Sequence, residues 1–187
     1  MKLLKTSLFA LFLLLSTSFA GDRKVKHSGF IAPGTKFTFL NEQFGWMGGG
    51  KVAYLYNSFL AVGVGGYSLL NETASSNPSG YDVEFYYGGL TLDYIIRPFE
   101  LVHGGFSLLA GMGSFDLSKG TKDKDDVYIV EPEWFFEGNI TKFLQVDMGI
   151  GYRMVFGSSR YIGGRIFDAS NIMASIQFKF GHFRIDY

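Results

Sequence analysis

From Glu131 to Asn139 the chain reads Glu-Pro-Glu-Trp-Phe-Phe-Glu-Gly-Asn, and its side chains separate by parity. Glu131, Glu133, Glu137 and Asn139 share one parity; Tyr128, Val130, Pro132, Trp134 and Phe136 share the other. Successive side chains of a strand point to opposite faces, so one face here is carboxylate-rich and the other aromatic. A water-soluble sheet hides its apolar face beneath another layer. Where no helix is available to cover it, that face must meet lipid.

The same split recurs along the chain. Alternation predicts eight strands, near Gly29–Leu40, Gln43–Tyr56, Ser58–Leu70, Val83–Ile96, Leu101–Phe115, Val127–Asn139, Lys142–Met154 and Asn171–His182. Each reaches the roughly 9–11 residues that a tilted strand needs to cross a bilayer. No stretch has a helical period, so nothing is left to cover a sheet. Glycines fall inside the strands, among them Gly48 to Gly50, Gly63, Gly65, Gly88, Gly89, Gly104, Gly105, Gly149 and Gly151, where they permit the bends of barrel closure.

Connections alternate in length. Asn57, Arg97–Glu100 and Ile140–Thr141 are tight, whereas Asn71–Asp82, Asp116–Asp126 and Val155–Ser170 are long and polar; Asn41–Glu42 is short although it belongs to the long set. Short turns at one end and long loops at the other are the asymmetry of outer-membrane barrels, and an even strand number puts both termini at the short-turn end. The expected fold is therefore all-β, an eight-stranded antiparallel up-and-down transmembrane β-barrel. Its long loops are expected outside the cell and its termini in the periplasm. A soluble sandwich or lipocalin-like barrel would turn the apolar parity inward. Tyrosine and tryptophan gathered toward strand ends weigh against it: Trp46, Tyr54, Tyr56, Tyr86, Tyr94, Tyr128, Trp134 and Tyr152 form the expected interface girdles.

Residues 1–20 are expected to be a cleaved signal peptide, leaving 21–187 as the barrel domain. Lys2 and Lys5 give the basic start, Leu8 to Leu15 the apolar run and Ser18-Phe19-Ala20 the cleavage site. The apolar run is too short to span a bilayer as a helix. The chain has 17 basic and 17 acidic residues and no cysteine, so disulfides cannot hold it and no basic stripe suits a nucleic acid.

The inward parity carries Lys36, Lys51, Asp93, His103, Glu131, Glu133, Glu137, Asp147, Arg153 and Lys179, with Gln177. Buried charges are tolerated only when paired, so these are expected to form a salt-bridge network across a narrow lumen. The turns suggest Asp93 opposite His103 and Glu133 close to Asp147, with a lysine from the far wall between the carboxylates. Clustered carboxylates also suit acid–base or metal chemistry. Bases so well matched to acids favour a neutralised plug, with no catalytic residue, metal or cofactor. Asp93, His103 and Ser107 do not make a hydrolytic triad, because four residues along a strand is roughly 13 Å. The aspartates of Asp116–Asp126 are interleaved with lysines and read as a solvated loop.

At the C-terminus Phe183, Ile185 and Tyr187 alternate, but Phe178 and Phe180 have the opposite parity. Either a bulge near Gly181-His182 or departure from the barrel is expected.

The segments TKFTFLNEQFGWMGGGKVAYLYN, YYGGLTLDYII, VEPEWFFEGNITKFLQVDMGIGYRMV and IQFKFGHF resemble a family of small outer-membrane β-barrel proteins of Gram-negative bacteria whose activity is not assigned. The likeness spans nearly the whole mature chain, and the architecture is similar to the OmpA, OmpX and OmpW type. The resemblance implies a fold and a location, but no reaction. The expected function is a structural or surface-interaction barrel with a charge-filled lumen. A narrow channel for small or apolar solutes is the alternative, and a lipid-modifying enzyme comes third. Expected partners are outer-membrane lipids and the barrel-insertion machinery, with no nucleic acid.

Overall fold

The computed structural model describes residues 27–40, 43–71, 82–118, 122–157, 161–162, 165–166 and 169–183. The expected signal peptide, the first connection at Asn41–Glu42, most of the Asn71–Asp82 loop and the terminal Ile185 and Tyr187 lie outside them. Strands β1 (His27–Leu40), β2 (Gln43–Tyr56), β3 (Leu60–Leu69), β4 (Asp82–Ile96), β5 (Val102–Ser118), β6 (Lys122–Thr141) and β7 (Leu144–Phe156) follow one another. A two-residue pair, β8 (Tyr161–Ile162) and β9 (Arg165–Ile166), precedes β10 (Asn171–Gly181). Eight antiparallel strands, β1 to β7 and β10, close into one barrel when β10 pairs with β1; β8 and β9 form a separate hairpin.

The alternating sequence produces this closure directly. Parity set by lipid on one side and a crowded lumen on the other forbids a slip of one residue, which would exchange the faces. The turns follow local chemistry. Asn57 and Ser58 both have positive φ, 49° and 67°, so β2 and β3 join through a primed two-residue turn closed by Phe59 N–H donating to Tyr56 O at 3.3 Å. Glycines serve close approach in the wall: a Cβ on Gly89 or Gly111 would overlap the backbone oxygen of Ala110 or Gly88.

Two boundaries differ from expectation. The Asp116–Asp126 stretch is not wholly a loop: β5 and β6 stay paired out to Ser118 opposite Lys122. Backbone pairing needs no apolar face, so polar sequence beyond the membrane can continue the hairpin. Within the Val155–Ser170 connection, β8 pairs with β9, although alternation over two residues carries no signal.

The burial pattern is inverted relative to a soluble protein. Leu90 (68% exposed), Phe136, Met148, Ile150 and Phe178 stand on the outside, and every residue of the expected girdle, from Trp46 to Tyr152, is exposed there. Inside, Arg153 and Asp147 are fully buried. No helix among the described residues is long and apolar enough to cross a membrane. The crossing is made by strands, whose backbone groups are satisfied within a closed sheet.

Two strands carry an interior proline. Pro33 and Pro132 lack the N–H that a ladder requires, and each leaves a gap in one seam. In the β1–β10 ladder the pairs skip from Ile31–Phe180 to Gly34–Gln177. In the β6–β7 ladder they skip from Val130–Met154 to Glu133–Gly151. Both gaps face the same hairpin, β7–β10.

The end of β10 resolves the change of parity without a bulge. Met173, Ser175, Gln177 and Lys179 face in, and Phe183 continues that parity to lie buried, its ring 6.2 Å from Phe30. Gly181 N–H donates to Phe143 O (3.1 Å) and Phe183 N–H to Lys142 O (2.8 Å), extending the seam to the β6–β7 turn. The aromatics change parity because Phe178 and Phe180 face lipid and Phe183 closes the lumen.

Candidate functional site

The lumen is a stack of three layers. Toward the long loops lies an apolar layer of Leu40, Met47, Tyr67, Phe85, Tyr87, Leu109, Val127, Ile129 and Ala169. Toward the short turns lies a second, formed by Phe30, Ala32, Ala53, Leu55, Ala61, Ile95, Phe135 and Phe183. Between and against them sit the charged side chains, and all ten named from parity are buried there: Lys36, Lys51, Asp93, His103, Glu131, Glu133, Glu137, Asp147, Arg153 and Lys179.

The centre of the upper cluster is Glu131. Lys36 Nζ lies 2.5 Å from its Oε2, and Arg153 Nε lies 2.5 Å from its Oε1. Tyr87 donates its hydroxyl to the same Oε1 at 2.7 Å and accepts from Arg153 Nη2 at 3.0 Å. Aromatic faces complete the shell: Lys36 Nζ is 4.0 Å from the Tyr67 ring centre, and the Arg153 guanidinium is 4.9 Å from that of Tyr87. Cations desolvated in this way gain from ring quadrupoles as well as from the carboxylate.

Lower in the barrel, Lys51 Nζ meets Asp93 Oδ2 at 2.6 Å, while Ser107 donates to Asp93 Oδ1 at 2.6 Å. Lys179 bridges Glu137 and Asp147, with its ammonium 2.8 Å from Asp147 Oδ2 and 4.5 Å from the Phe135 ring centre. His103 Nε2 lies 2.8 Å from Glu137 Oε1, and its Nδ1 is 3.1 Å from Glu100 O. Asn139 donates to Glu100 O at 2.7 Å and accepts from Gln145 at 2.6 Å, finishing the polar network near the short turns.

Glu133 stands apart. Its carboxylate accepts from Ser175 Oγ at 3.0 Å, and among the described residues no lysine, arginine or histidine pairs with it. Gly149 leaves it space, since a Cβ there would overlap Glu133 Oε1.

Two expected neighbours are replaced by others. Asp93 does not face His103; it pairs in register with Ser107, and His103 pairs with Glu137. The ladder between β4 and β5 begins at Ile96 opposite Gly104, so the turn is longer than a minimal one and displaces the register. Asp147 lies opposite Glu137, whereas Glu133 lies opposite Gly151, because β6 runs on to Thr141 and the turn falls at Lys142–Phe143 rather than near Ile140. Ser107 and His103 therefore belong to different carboxylates and form no proton relay. Among the described residues no three histidine or acidic side chains converge as metal ligands. Tyr67, Tyr87, Ser175 and Phe183 are the participants that charge-based reading passes over. Their parity matches that of the buried residues along the same stretches of chain (Ala61 with Tyr67, Asp93 with Tyr87, Lys179 with Ser175 and Phe183), and that signal finds them.

No protein-family model matches the chain, and no curated protein matches it in sequence. Solved structures match in shape. The N-terminal β-barrel domain of Pseudomonas aeruginosa OprF is similar with a TM-score of 0.58 at 10% identity, over 82% of this chain and 96% of that one. Neisserial surface protein A (NspA) gives 0.55 at 14% identity, over 83% and 94%. The outer membrane protein OprG of Pseudomonas aeruginosa gives 0.52 at 13% identity, over 84% and 97%. The shared property is the fold: this chain has the architecture of a small eight-stranded outer-membrane β-barrel.

Proposed function

We propose that the protein is a closed outer-membrane barrel whose lumen is a structural lock, with a structural or surface-interaction role carried by the long-loop end. One observation carries this reading: apart from Glu133, the buried charges are paired by direct contacts, and they are packed between and against two apolar layers. A conducting pore needs a continuous wet path lined by solvated groups. The cavity beside His103, Glu137, Lys179 and Phe183 measures about 10 Å³, room for about one water at most. In this role Glu131, Glu137 and Asp93 hold strands together and carry no chemistry.

The proposed topology places the long loops outside the cell and the short turns in the periplasm, after removal of residues 1–20 and insertion by the barrel-assembly machinery. Heat-modifiable gel migration, outer-membrane fractionation and protease cleavage at tagged loops of intact cells test it. Planar-bilayer recording tests the lock. The purified protein is expected to give no steady conductance; steady single-channel steps would replace the lock with a narrow channel.

A further inference from the structure

The outer wall carries a hollow. A groove of about 560 Å³ opens outward across β3 to β6, within the roughly 300–1,000 Å³ of small-ligand sites. Its lining follows the register in two rows. Leu60, Tyr94, Phe106 and Trp134 pair side by side across four strands, and Leu92, Leu108 and Pro132 form the adjacent row. Phe106 and Trp134 meet edge to face with ring centres 4.5 Å apart, making a ledge. The compact ring of Pro132 leaves the floor low beside that ledge.

The groove slopes with respect to the membrane. Leu60 opens β3 and Tyr94 lies two residues before the end of β4, so one end reaches the short-turn rim. Pro132 is nine residues from Thr141, the end of β6, which places the other end about 20 Å higher on a tilted strand. A narrow apolar channel running from the interface into the hydrocarbon has the shape of an extended acyl chain. The rim is equipped for a headgroup: Arg97 follows Ile96 with its side chain 74% exposed, and its recorded ion pair is to Glu100 at 3.4 Å. An exposed guanidinium three residues after Tyr94, which lines the groove near its short-turn end, matches a lipid phosphate.

We propose that this groove holds one acyl chain of an anionic phospholipid from the leaflet at the short-turn end, with the phosphate against Arg97. The assignment rests on the membrane-spanning reading above. Trp134 reports on it, because Trp46 is the other tryptophan of the chain and can be removed as Trp46→Phe. Brominated phosphatidylglycerol is titrated into the folded Trp46→Phe barrel in micelles, with Trp134 fluorescence as readout. Saturable quenching at one lipid per barrel is expected. Arg97→Ala should weaken it about tenfold, and Leu108→Phe should fill the floor and abolish the saturable phase.

Heat-modifiable migration checks each variant, so a protein that is no barrel fails visibly and differently from a barrel that binds no lipid. Quenching that rises linearly and is unchanged by Leu108→Phe would overturn the proposal. So would a dimer that shields Trp134 without lipid, since a second copy would then occupy the groove.

Discussion

The two proline-broken seams of this barrel lie on either side of one hairpin and are treated differently. At the β6–β7 seam the missing bond at Pro132 is bracketed by side-chain clamps. Glu131 holds Arg153 of β7, and Glu133 and Glu137 reach past β7 to Ser175 and Lys179 of β10. At the β1–β10 seam the gap at Pro33 is flanked more weakly: Thr38 Oγ1 donates to Ile172 O at 3.0 Å, and the Lys179 ammonium lies 5.5 Å from the Phe30 ring centre, with no ion pair between the two strands among the described residues. A lost ladder bond inside hydrocarbon is expensive, because lipid offers no substitute partner. The difference shows what the β6 glutamates contribute: they secure a hairpin whose backbone seams are weakened on both sides.

The strongest test removes the charge at the centre of the clamp. Glu131→Gln leaves Lys36 and Arg153 buried without their carboxylate, and should cost about 3–5 kcal/mol. Denaturant-induced unfolding in lipid vesicles measures it; a loss below 1 kcal/mol would show that the clamp does not hold the seam. At the other seam Thr38→Val removes one neutral hydrogen bond and should cost about 1 kcal/mol. A loss there equal to that of Glu131→Gln would erase the contrast.

Glu133→Gln separates the glutamates from one another. The amide oxygen can still accept from Ser175, and no ion pair among the described residues is broken, so a change under about 1 kcal/mol is expected. A cost matching that of Glu131→Gln would mean that Glu133 carries a paired charge after all. The finest comparison needs no mutation. In bilayers, amides of β10 that face β1 near Pro33 should exchange hydrogen faster than amides of β7 that face β6 near Pro132, because local opening follows the weaker seam. Equal protection would place the clamping elsewhere.

Much of this was legible beforehand, for a definite reason. A period of two fixes which side of a strand each residue occupies, so Lys36, Lys51, Arg153 and Lys179 could be assigned to the interior without knowing any partner. The girdle residues followed by the same parity. Partners were not legible, because they depend on register: a β4–β5 turn longer than a minimal one put Ser107, four residues on from His103, opposite Asp93, and the β5–β6 ladder put His103 opposite Glu137. Charge alone also draws attention away from Tyr87, whose hydroxyl completes the Glu131 cluster, and from Phe183, whose parity read as a defect in the strand.

The sequence by itself determined the class of this protein: eight alternating segments without a covering helix leave closure into a barrel as the way to satisfy every backbone group. Alternation is a local property, read residue by residue. Only the tertiary structure decided that Lys179 spans Glu137 and Asp147, that Glu133 has no ion-pair partner among the described residues, and that both interior prolines aim their missing donors at β7–β10. Those facts depend on shear and register around the closed sheet, which bring together residues as distant as Lys36 and Glu131.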